Sequence, residues 1–195
     1  MSLTTFLHSR GFYTFEGYSQ EVPPQVENLK VLSQPPVKTV MEIGFNAGHS
    51  AEVFLANNPE LTLLSFDLGF HAYGKVAKEY IDTKYPGRHQ IIWGDSTKTV
   101  PEYINANPGK TFDLIFVDGG HMYDIAAADV ASCAALANAN TIVAVDDVVF
   151  SMAQDTHTAG PTRAWMEAVN SGRITELVRR EYGGPRGMVW GRYNI

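Results

Sequence analysis

The sequence predicts an α/β fold in which a doubly wound, mostly parallel sheet ends in an antiparallel hairpin. Short runs of apolar and β-branched residues alternate five times with helical segments, which is the pattern of consecutive β–α units. The last two strand-like runs, residues 174–180 and 188–193, are joined by a short segment rich in glycine. A joint of that kind is typical of a hairpin, so the sheet is expected to have an antiparallel edge.

The individual elements follow from hydrophobic periodicity. Ahead of the hairpin, strands are predicted at residues 37–43, 61–67, 90–96, 112–117 and 141–149. Helices are predicted from residue 50, at 75–85, around residues 100–104, at 125–137 and at 163–170, with residues 151–162 as a polar loop. A helical stripe follows Pro23-Pro24, so residues 1–36 are expected to cap the sheet. Alternatively, residues 18–24 cover one side of a ligand cleft.

Composition limits the class of protein. The chain has 195 residues, of which 45% are hydrophobic and 18% charged, so we expect one globular domain with a cap at 1–36 and a core at 37–195. The net charge is -6 without a basic run, which argues against nucleic acid as the main partner. The single cysteine, Cys133, allows no internal disulfide, and no segment reads as a membrane span or signal peptide. A cytoplasmic location and no membrane partner are expected.

The stretch 37–55 organises the chain, because a buried strand, a glycine turn and a helix follow one another. Its pattern is E-x-G-x-x-x-G-x-S, formed by Glu42, Gly44, Gly48 and Ser50. Glycines let a ligand approach the main chain, and the helix presents unpaired N–H groups at its start. The spacing matches neither G-x-G-x-x-G nor a Walker loop. A plain β–turn–α with structural glycines is the alternative interpretation.

Two acids end the next strands. Asp67 ends the second predicted strand, and Asp95 with Ser96 follows the third. In a doubly wound sheet, ligands bind beyond the carboxyl ends of the strands. Asp67 is therefore placed to accept hydrogen bonds from the two hydroxyls of a ribose. The simpler role for each of these acids is that of a helix cap.

These motifs resemble those of the class I S-adenosylmethionine (SAM) methyltransferases, which have a Rossmann-like fold. The glycine turn resembles motif I, Asp67 resembles motif II, and Asp95-Ser96 resembles the position that contacts the adenine amino group. The resemblance implies that SAM is the cofactor. It implies cofactor-binding roles for Glu42, Gly44, Phe45, Asn46, Gly48, Ser50, Asp67, Leu68, Asp95, Ser96, Asp118 and Tyr123.

Three further acids are predicted to meet at the ends of neighbouring strands. Asp118 follows the fourth strand, and Asp146 and Asp147 leave the fifth. Carboxylates held close together repel unless a cation lies between them, and an oxygen-rich site suits Mg²⁺. The positions resemble the metal ligands of divalent-metal-dependent O-methyltransferases of the catechol, caffeoyl-CoA and macrolide-sugar types. Where the catechol type has a lysine base, this chain has His121, which makes His121 the predicted general base and Asp118 the alternative.

The predicted function is Mg²⁺-assisted transfer of a methyl group from SAM to a hydroxyl of a small acceptor. The Asp-Gly-Gly-His and Asp-Asp patterns look more like the sugar type, so a sugar is favoured and a phenol is second. A metal-independent methyltransferase and a non-catalytic SAM-binding module stay open, as does membership of a homo-oligomer or of a larger enzyme. A dinucleotide oxidoreductase is disfavoured by the glycine spacing.

Overall fold

A seven-stranded sheet forms the centre of the part of the chain that the structure describes. The structure, a computed structural model, describes residues 1–17, 19–151 and 154–195. The strands are β1 (Thr39–Ile43), β2 (Thr62–Asp67), β3 (His89–Trp93), β4 (Leu114–Val117), β5 (Ile142–Asp146), β6 (Ile174–Glu181) and β7 (Gly187–Tyr193). Their order across the sheet is β3-β2-β1-β4-β5-β7-β6. The pairs from β3 to β5 are parallel, and β7 runs antiparallel to β5 and β6, which confirms the predicted fold class.

Helices cover both faces of this sheet. They are α1 (Leu3–Ser9), α2 (Pro23–Leu32), α3 (His49–Asn57), α4 (Ala72–Lys84), α5 (Ser96–Ala106), α6 (Tyr123–Cys133) and α7 (Ala159–Asn170). Successive strand residues face opposite sides of a sheet, so β1 contributes Val40 to one core and Met41 and Ile43 to the other. The first core joins the sheet to α1–α4, and the second joins it to α5–α7. Among the described helices, none is long and apolar enough to cross a membrane.

Several helix boundaries differ from those predicted. The helix predicted at 75–85 is α4, which begins three residues earlier, and the helix predicted at 125–137 is α6 followed by a 3-10 turn, Ala134–Leu136. Helix α7 begins at Ala159, inside the predicted polar loop, because Pro161 suits a first helical turn. Residues 152 and 153 of that loop lie outside the described part of the chain.

The N-terminal segment contains a helix, α1, that the sequence analysis did not predict. Ser2 caps it by accepting a hydrogen bond from the Thr5 backbone N–H at 3.2 Å, and Leu3 and Leu7 are fully buried. Leu3 and Leu7 are four residues apart and so share one helix face. Two apolar positions are too short a stripe to predict a helix from sequence. The segment packs on the α3–α4 face of the sheet.

The strand order reverses between β1 and β4, which creates the opening that positions the site. The chain winds outward from β1 through β2 to β3, then returns to β4 on the other side of β1. Helix α3 after β1 lies on one face, and α6 after β4 lies on the opposite face. A crevice forms where neighbouring connections leave in opposite directions, at the carboxyl ends of the strands.

Candidate active site

A cavity of about 500 Å³ occupies this crevice. Its wall is formed by residues from the carboxyl ends of β1, β2, β4 and β5, from the start of α5, from the N-terminal segment and from the β6–β7 hairpin. Of the predicted site residues, the wall contains Gly44, Asn46, Asp67, Leu68, Asp95, Ser96, Asp118, His121, Asp146 and Asp147. Most of the predicted site residues thus line one cavity, because they lie at the carboxyl ends of neighbouring strands.

The glycine turn after β1 passes very close to the segment after β4. Gly44 has a φ of 99°, and a methyl group on its Cα would lie 1.8 Å from the Asp118 carbonyl oxygen. Gly44 N–H donates to the Phe66 carbonyl, and Asp118 N–H donates to the Ile43 carbonyl, both at 2.8 Å. Glycine is therefore required here by both the backbone angle and the space.

Asp67 holds the turn from the neighbouring strand. Its Oδ2 accepts a hydrogen bond from the Asn46 backbone N–H and its Oδ1 accepts one from the Gly69 N–H, each at 2.7 Å. Each carboxylate oxygen retains acceptor capacity toward the cavity. Asn46 has a φ of 49°, and its side-chain amide donates to the backbone of Glu16 and Gly17. The N-terminal segment is thereby tied to the glycine turn.

Asp95 and Ser96 begin α5 at the far end of the cavity. Asp95 Oδ1 accepts hydrogen bonds from the Thr97 N–H at 3.0 Å and the Thr97 hydroxyl at 2.7 Å, so it is a helix N-cap. These bonds lower the pKa of Asp95 below its ordinary value. Its side chain is 42% exposed, and its Oδ2 forms a long ion pair of 3.5 Å with the exposed Lys98, so Oδ2 is not buried by the protein. Capping and ligand binding are therefore compatible at this residue.

Glu42 lies outside the cavity wall, in a buried polar network. Period-two alternation places it on the same face as Val40, toward α3. It accepts hydrogen bonds from the Ser50 hydroxyl at 2.8 Å and the Ser65 hydroxyl at 2.6 Å, and Ser65 also contacts His89 Nε2 at 2.8 Å. Glu42 and Ser50 thus join β1 to α3 and β2, and their cofactor-binding roles stay predictions.

Glu42→Gln is expected to stabilise the protein above pH 7. Burial raises the pKa of Glu42 from 4.5 to about 7, the adjacent hydroxyls opposing this only in part. A pKa that is higher in the folded state makes folding take up a proton, so stability falls as pH rises from about 4.5 to about 7. The full loss is about 3 kcal/mol, which a neutral Gln with the same two serine partners avoids.

Urea unfolding at pH 5 and pH 8 measures this effect. The stability difference between Glu42→Gln and the wild type is expected to grow in favour of the mutant by about 2 to 3 kcal/mol between the two pH values. Glu60→Gln, at an exposed position, is the matched control and should show no such change. A pH-independent difference for Glu42→Gln would mean that Glu42 is not a neutralised buried acid.

Three other predicted cofactor residues also lie outside the cavity wall. Phe45 is buried and stacks on His89, with ring centroids 5.1 Å apart. Gly48 caps α3 with a φ of 77°, beside the Phe45 ring. Tyr123 donates its hydroxyl hydrogen bond to Glu167 on α7. Their placement supports the loop and helices around the cavity, and direct contact with a cofactor stays a prediction for each.

The acids at the ends of β4 and β5 form a cluster with His121. Ligand atoms of Asp118, His121 and Asp147 all lie within 4.8 Å of one another. His121 Nε2 lies 2.8 Å from Asp147 Oδ2. Asp147 has a φ of 57°, a left-handed conformation that directs the chain away from β5 immediately after Asp146.

Asp146 lies beside this cluster but has a different partner. Its Oδ2 accepts a hydrogen bond from the side-chain amide of Gln25 on α2. Burial, and then the neighbouring Asp147 carboxylate, raise the pKa of Asp146 to about 7. All three predicted metal ligands, Asp118, Asp146 and Asp147, line the cavity, but the group whose ligand atoms lie within 4.8 Å of one another contains His121 in place of Asp146. The metal-binding role of Asp146 stays a prediction.

The electrostatics of the cluster favour a bound cation. Burial raises the pKa of Asp118 well above its ordinary value, and the Asp146 and Asp147 carboxylates raise it further. The pKa of His121 is also raised, chiefly by its hydrogen bond to Asp147. Buried carboxylates that raise one another's pKa, next to an imidazole, fit a divalent cation: oxygens suit Mg²⁺, and the added nitrogen suits Mn²⁺ or Fe²⁺.

A second histidine faces the first. His157 Nδ1 lies 3.4 Å from His121 Nδ1, and their rings meet edge to face at 5.0 Å. Asp155 fixes the His157 segment by accepting hydrogen bonds from the backbone N–H groups of His157 and Thr158. Both Asp155 and His157 line the cavity.

Helix α7 approaches the His121 segment through Gly160. A methyl group on Gly160 would lie 2.1 Å from the His121 carbonyl oxygen and 2.7 Å from the Tyr123 nitrogen. Only glycine permits this contact, so α7 sets the position of the backbone that carries His121.

Some wall residues were not anticipated from the sequence. Glu16, Gln25 and Arg186 come from the two ends of the chain, where no motif singled them out. The sequence feature that could have indicated Arg186 is its positive charge in the predicted hairpin, since the preceding fifth strand ends in two acids. Of the segment expected to cover the cleft, Ser19 lies in the wall, whereas Tyr18 lies outside the described residues.

Comparison with known proteins identifies the family. A model of a methyltransferase domain family matches residues 41–148, from β1 to the residue after Asp147. The chain belongs to this methyltransferase family. The predicted resemblance to class I SAM-dependent methyltransferases is thereby confirmed. Among curated proteins, none matches the sequence of this methyltransferase.

Solved structures share the fold of this methyltransferase. An O-methyltransferase from Bacillus cereus in complex with SAH is 13% identical, with a TM-score of 0.75, and the match covers 98% of this chain and 89% of that one. TomG from Streptomyces achromogenes, in complex with SAM, is 17% identical, with a TM-score of 0.74 and coverages of 98% and 87%. CalS11, a TDP-rhamnose 3'-O-methyltransferase, is 19% identical, with a TM-score of 0.68 and coverages of 90% and 80%.

Proposed function

We propose that this methyltransferase transfers the methyl group of SAM to a hydroxyl of a small acceptor, with a divalent cation and a general base. One observation carries the proposal: a single cavity contains both the glycine turn with Asp67 and the cluster of Asp118, His121 and Asp147. The first group suits a nucleoside, and the second suits a hydroxyl that must lose its proton. SAM, when bound, would supply the methyl group: the acceptor oxygen would form a bond to the methyl carbon as the bond from that carbon to the sulfonium sulfur breaks, which releases S-adenosylhomocysteine.

The residues of the first group hold the cofactor. Asp67 would accept hydrogen bonds from the ribose hydroxyls, because it lines the cavity while the Asn46 and Gly69 N–H groups fix the orientation of its carboxylate. Asp95 and Ser96 meet the adenine at the start of α5. Gly44 allows the methionine portion to approach the main chain.

The residues of the second group prepare the acceptor. Asp118, Asp147 and Asp146 would hold the cation, which would supply Lewis acidity that lowers the pKa of the acceptor hydroxyl. His121 takes the hydroxyl proton. Its Nε2 contacts Asp147, so a neutral ring that donates there leaves Nδ1 as the acceptor nitrogen. Asp147 thereby orients the base, and Asp118 is the second candidate for that role.

A sugar is the favoured acceptor. The Asp-Gly-Gly-His segment at residues 118–121 and the Asp-Asp pair at 146–147 resemble the sugar type more than the catechol type. CalS11, which shares the fold, is a TDP-rhamnose 3'-O-methyltransferase. A phenolic acceptor is the second candidate. The proposed location is cytoplasmic.

Metal-independent transfer is a second candidate function, favoured by one contact. The 2.8 Å bond between His121 and Asp147 forms an oriented base without any cation. In that case, Asp118 and Asp146 would be neutral acids in the wall.

Methyl transfer from labelled SAM to a panel of sugars and catechols tests the proposal. Assays are run with Mg²⁺, with Mn²⁺ and with EDTA. We expect transfer to a sugar hydroxyl that falls by about 10²-fold or more in EDTA and returns when the cation is restored. Full activity in EDTA would select the metal-independent mechanism. Tight SAM binding without transfer to any acceptor would favour a non-catalytic module.

A further inference from the structure

Arg186 brings a positive charge to an otherwise acidic wall. The described wall carries seven carboxylate side chains, among them Asp67, Asp118 and Asp147, and Arg186 is its only lysine or arginine. Arg186 lies in the β6–β7 hairpin. The sheet register places Met188 opposite Asp146, and the Gly187 carbonyl accepts a hydrogen bond from the Val148 N–H at 3.1 Å. The hairpin therefore holds Arg186 at the same sheet edge as the acid cluster.

The guanidinium of Arg186 is held in place, but it makes no hydrogen bond with the described residues. Its nearest carboxylate oxygens belong to Asp147, at 3.8 Å, and to Glu21, at 3.9 Å. Both distances exceed a hydrogen bond. Among the described residues, its side chain makes no hydrogen bond, and it is 35% exposed. Its backbone is fixed by a 2.9 Å hydrogen bond from the Tyr182 N–H to the Arg186 carbonyl. Arg186 lines the cavity, and apart from these two long ion pairs its guanidinium donors are not used by the described residues.

The position of Arg186 along the sheet edge indicates which molecule it meets. From β3 to β7, the order of strand-end groups is Asp95, Asp67, Gly44, Asp118, Asp147 and Arg186. Asp95, Asp67 and Gly44, which are proposed to hold the cofactor, occupy the β3–β1 end. Arg186 lies past the acid cluster, at the opposite end, where the acceptor would extend away from its reacting hydroxyl.

We infer that Arg186 forms an anion subsite that selects acceptors carrying a carboxylate or phosphate group beside the methylated hydroxyl. This inference rests on the proposed function. A planar guanidinium fork matches the oxygens of either anion in a bidentate manner, and a charged partner makes such bonds stronger than neutral ones. Without Arg186, the carboxylates of the wall would repel an anionic acceptor.

Matched pairs of probes test this subsite. Dissociation constants are measured by calorimetry for 3,4-dihydroxybenzoate against catechol and for glucose 1-phosphate against glucose, on protein saturated with S-adenosylhomocysteine and Mg²⁺. We expect at least one anionic probe to bind about tenfold or more tightly than its neutral partner. The pair that shows the preference tells whether the anion is a carboxylate or a phosphate.

Arg186→Gln is expected to reduce this preference to about threefold or less. Arg192→Gln removes the same charge from an exposed position on β7 and should retain the preference. No anionic preference in the wild type, or an undiminished one in Arg186→Gln, would overturn the inference. So would a loss of S-adenosylhomocysteine affinity in Arg186→Gln, because Arg186 would then hold the cofactor. A wild type that binds no S-adenosylhomocysteine would instead refute the proposed function.

Discussion

Asp147→Asn is expected to lower kcat/KM for methyl transfer by about 10³-fold or more while SAM still binds. The substitution removes the charge that His121 contacts at 2.8 Å and that belongs to the proposed cation site. The substitution therefore weakens cation binding and also loosens the orientation of the His121 base. Asparagine is the suitable replacement because it tolerates the left-handed backbone at this position, where φ is 57°. The cofactor residues of the β3–β1 end are untouched.

Initial rates with the best acceptor, together with calorimetric SAM and Mn²⁺ titrations, measure this result. Asp124→Asn is the matched control, because Asp124 is an exposed acid in the first turn of α6. The control should retain both activity and metal affinity. An Asp147→Asn rate within about tenfold of the wild type would remove Asp147 from the proposed chemistry.

Gly44→Ala is expected to destabilise the protein by at least about 3 kcal/mol or to prevent folding, and to abolish SAM binding. The added methyl group would lie 1.8 Å from the Asp118 carbonyl oxygen, so β1 and β4 must separate at the cavity. Each strand end is held by a backbone hydrogen bond of 2.8 Å, which leaves little room to adjust. The φ of 99° adds backbone strain for any residue with a Cβ.

A substitution at a second glycine distinguishes the effect of the steric contact from the effect of backbone strain. Gly172 has a φ of 73°, yet no atom lies within 4 Å of a methyl group added there. Gly172→Ala should therefore cost only about 1 kcal/mol, measured by the same urea unfolding. Equal losses for the two mutants would mean that the close approach of Gly44 to Asp118 contributes nothing.

The sequence predicts the parts of the site that depend on strand ends. Asp67, Asp95, Asp118 and Asp147 lie at or just after the carboxyl end of a strand, and parallel strands bring such residues to one edge of the sheet. The β1–turn–α3 unit was predicted for the same reason, because glycine spacing and hydrophobic runs are local signals. The positions of residues that depend on local chain geometry can therefore be predicted from the sequence.

Side-chain contacts between distant parts of the chain cannot be predicted in this way. Glu42 is the penultimate residue of β1, but it faces α3 and meets Ser65, 23 residues away. Gln25 reaches Asp146 across 121 residues, and Arg186 comes from the hairpin near the C-terminus. Which of two adjacent acids meets His121 depends on the left-handed backbone of Asp147, a conformation that the sequence alone does not specify.

The most direct test of the account is a calorimetric titration of SAM into the wild-type protein, with and without Mg²⁺. We predict saturable binding at one site per chain, with a dissociation constant well below about 1 mM. Binding should occur in both conditions, because Asp67, Asp95 and Ser96, which are proposed to hold the nucleoside, do not belong to the cation cluster. Absence of binding up to about 1 mM would contradict the proposal that this cavity holds SAM.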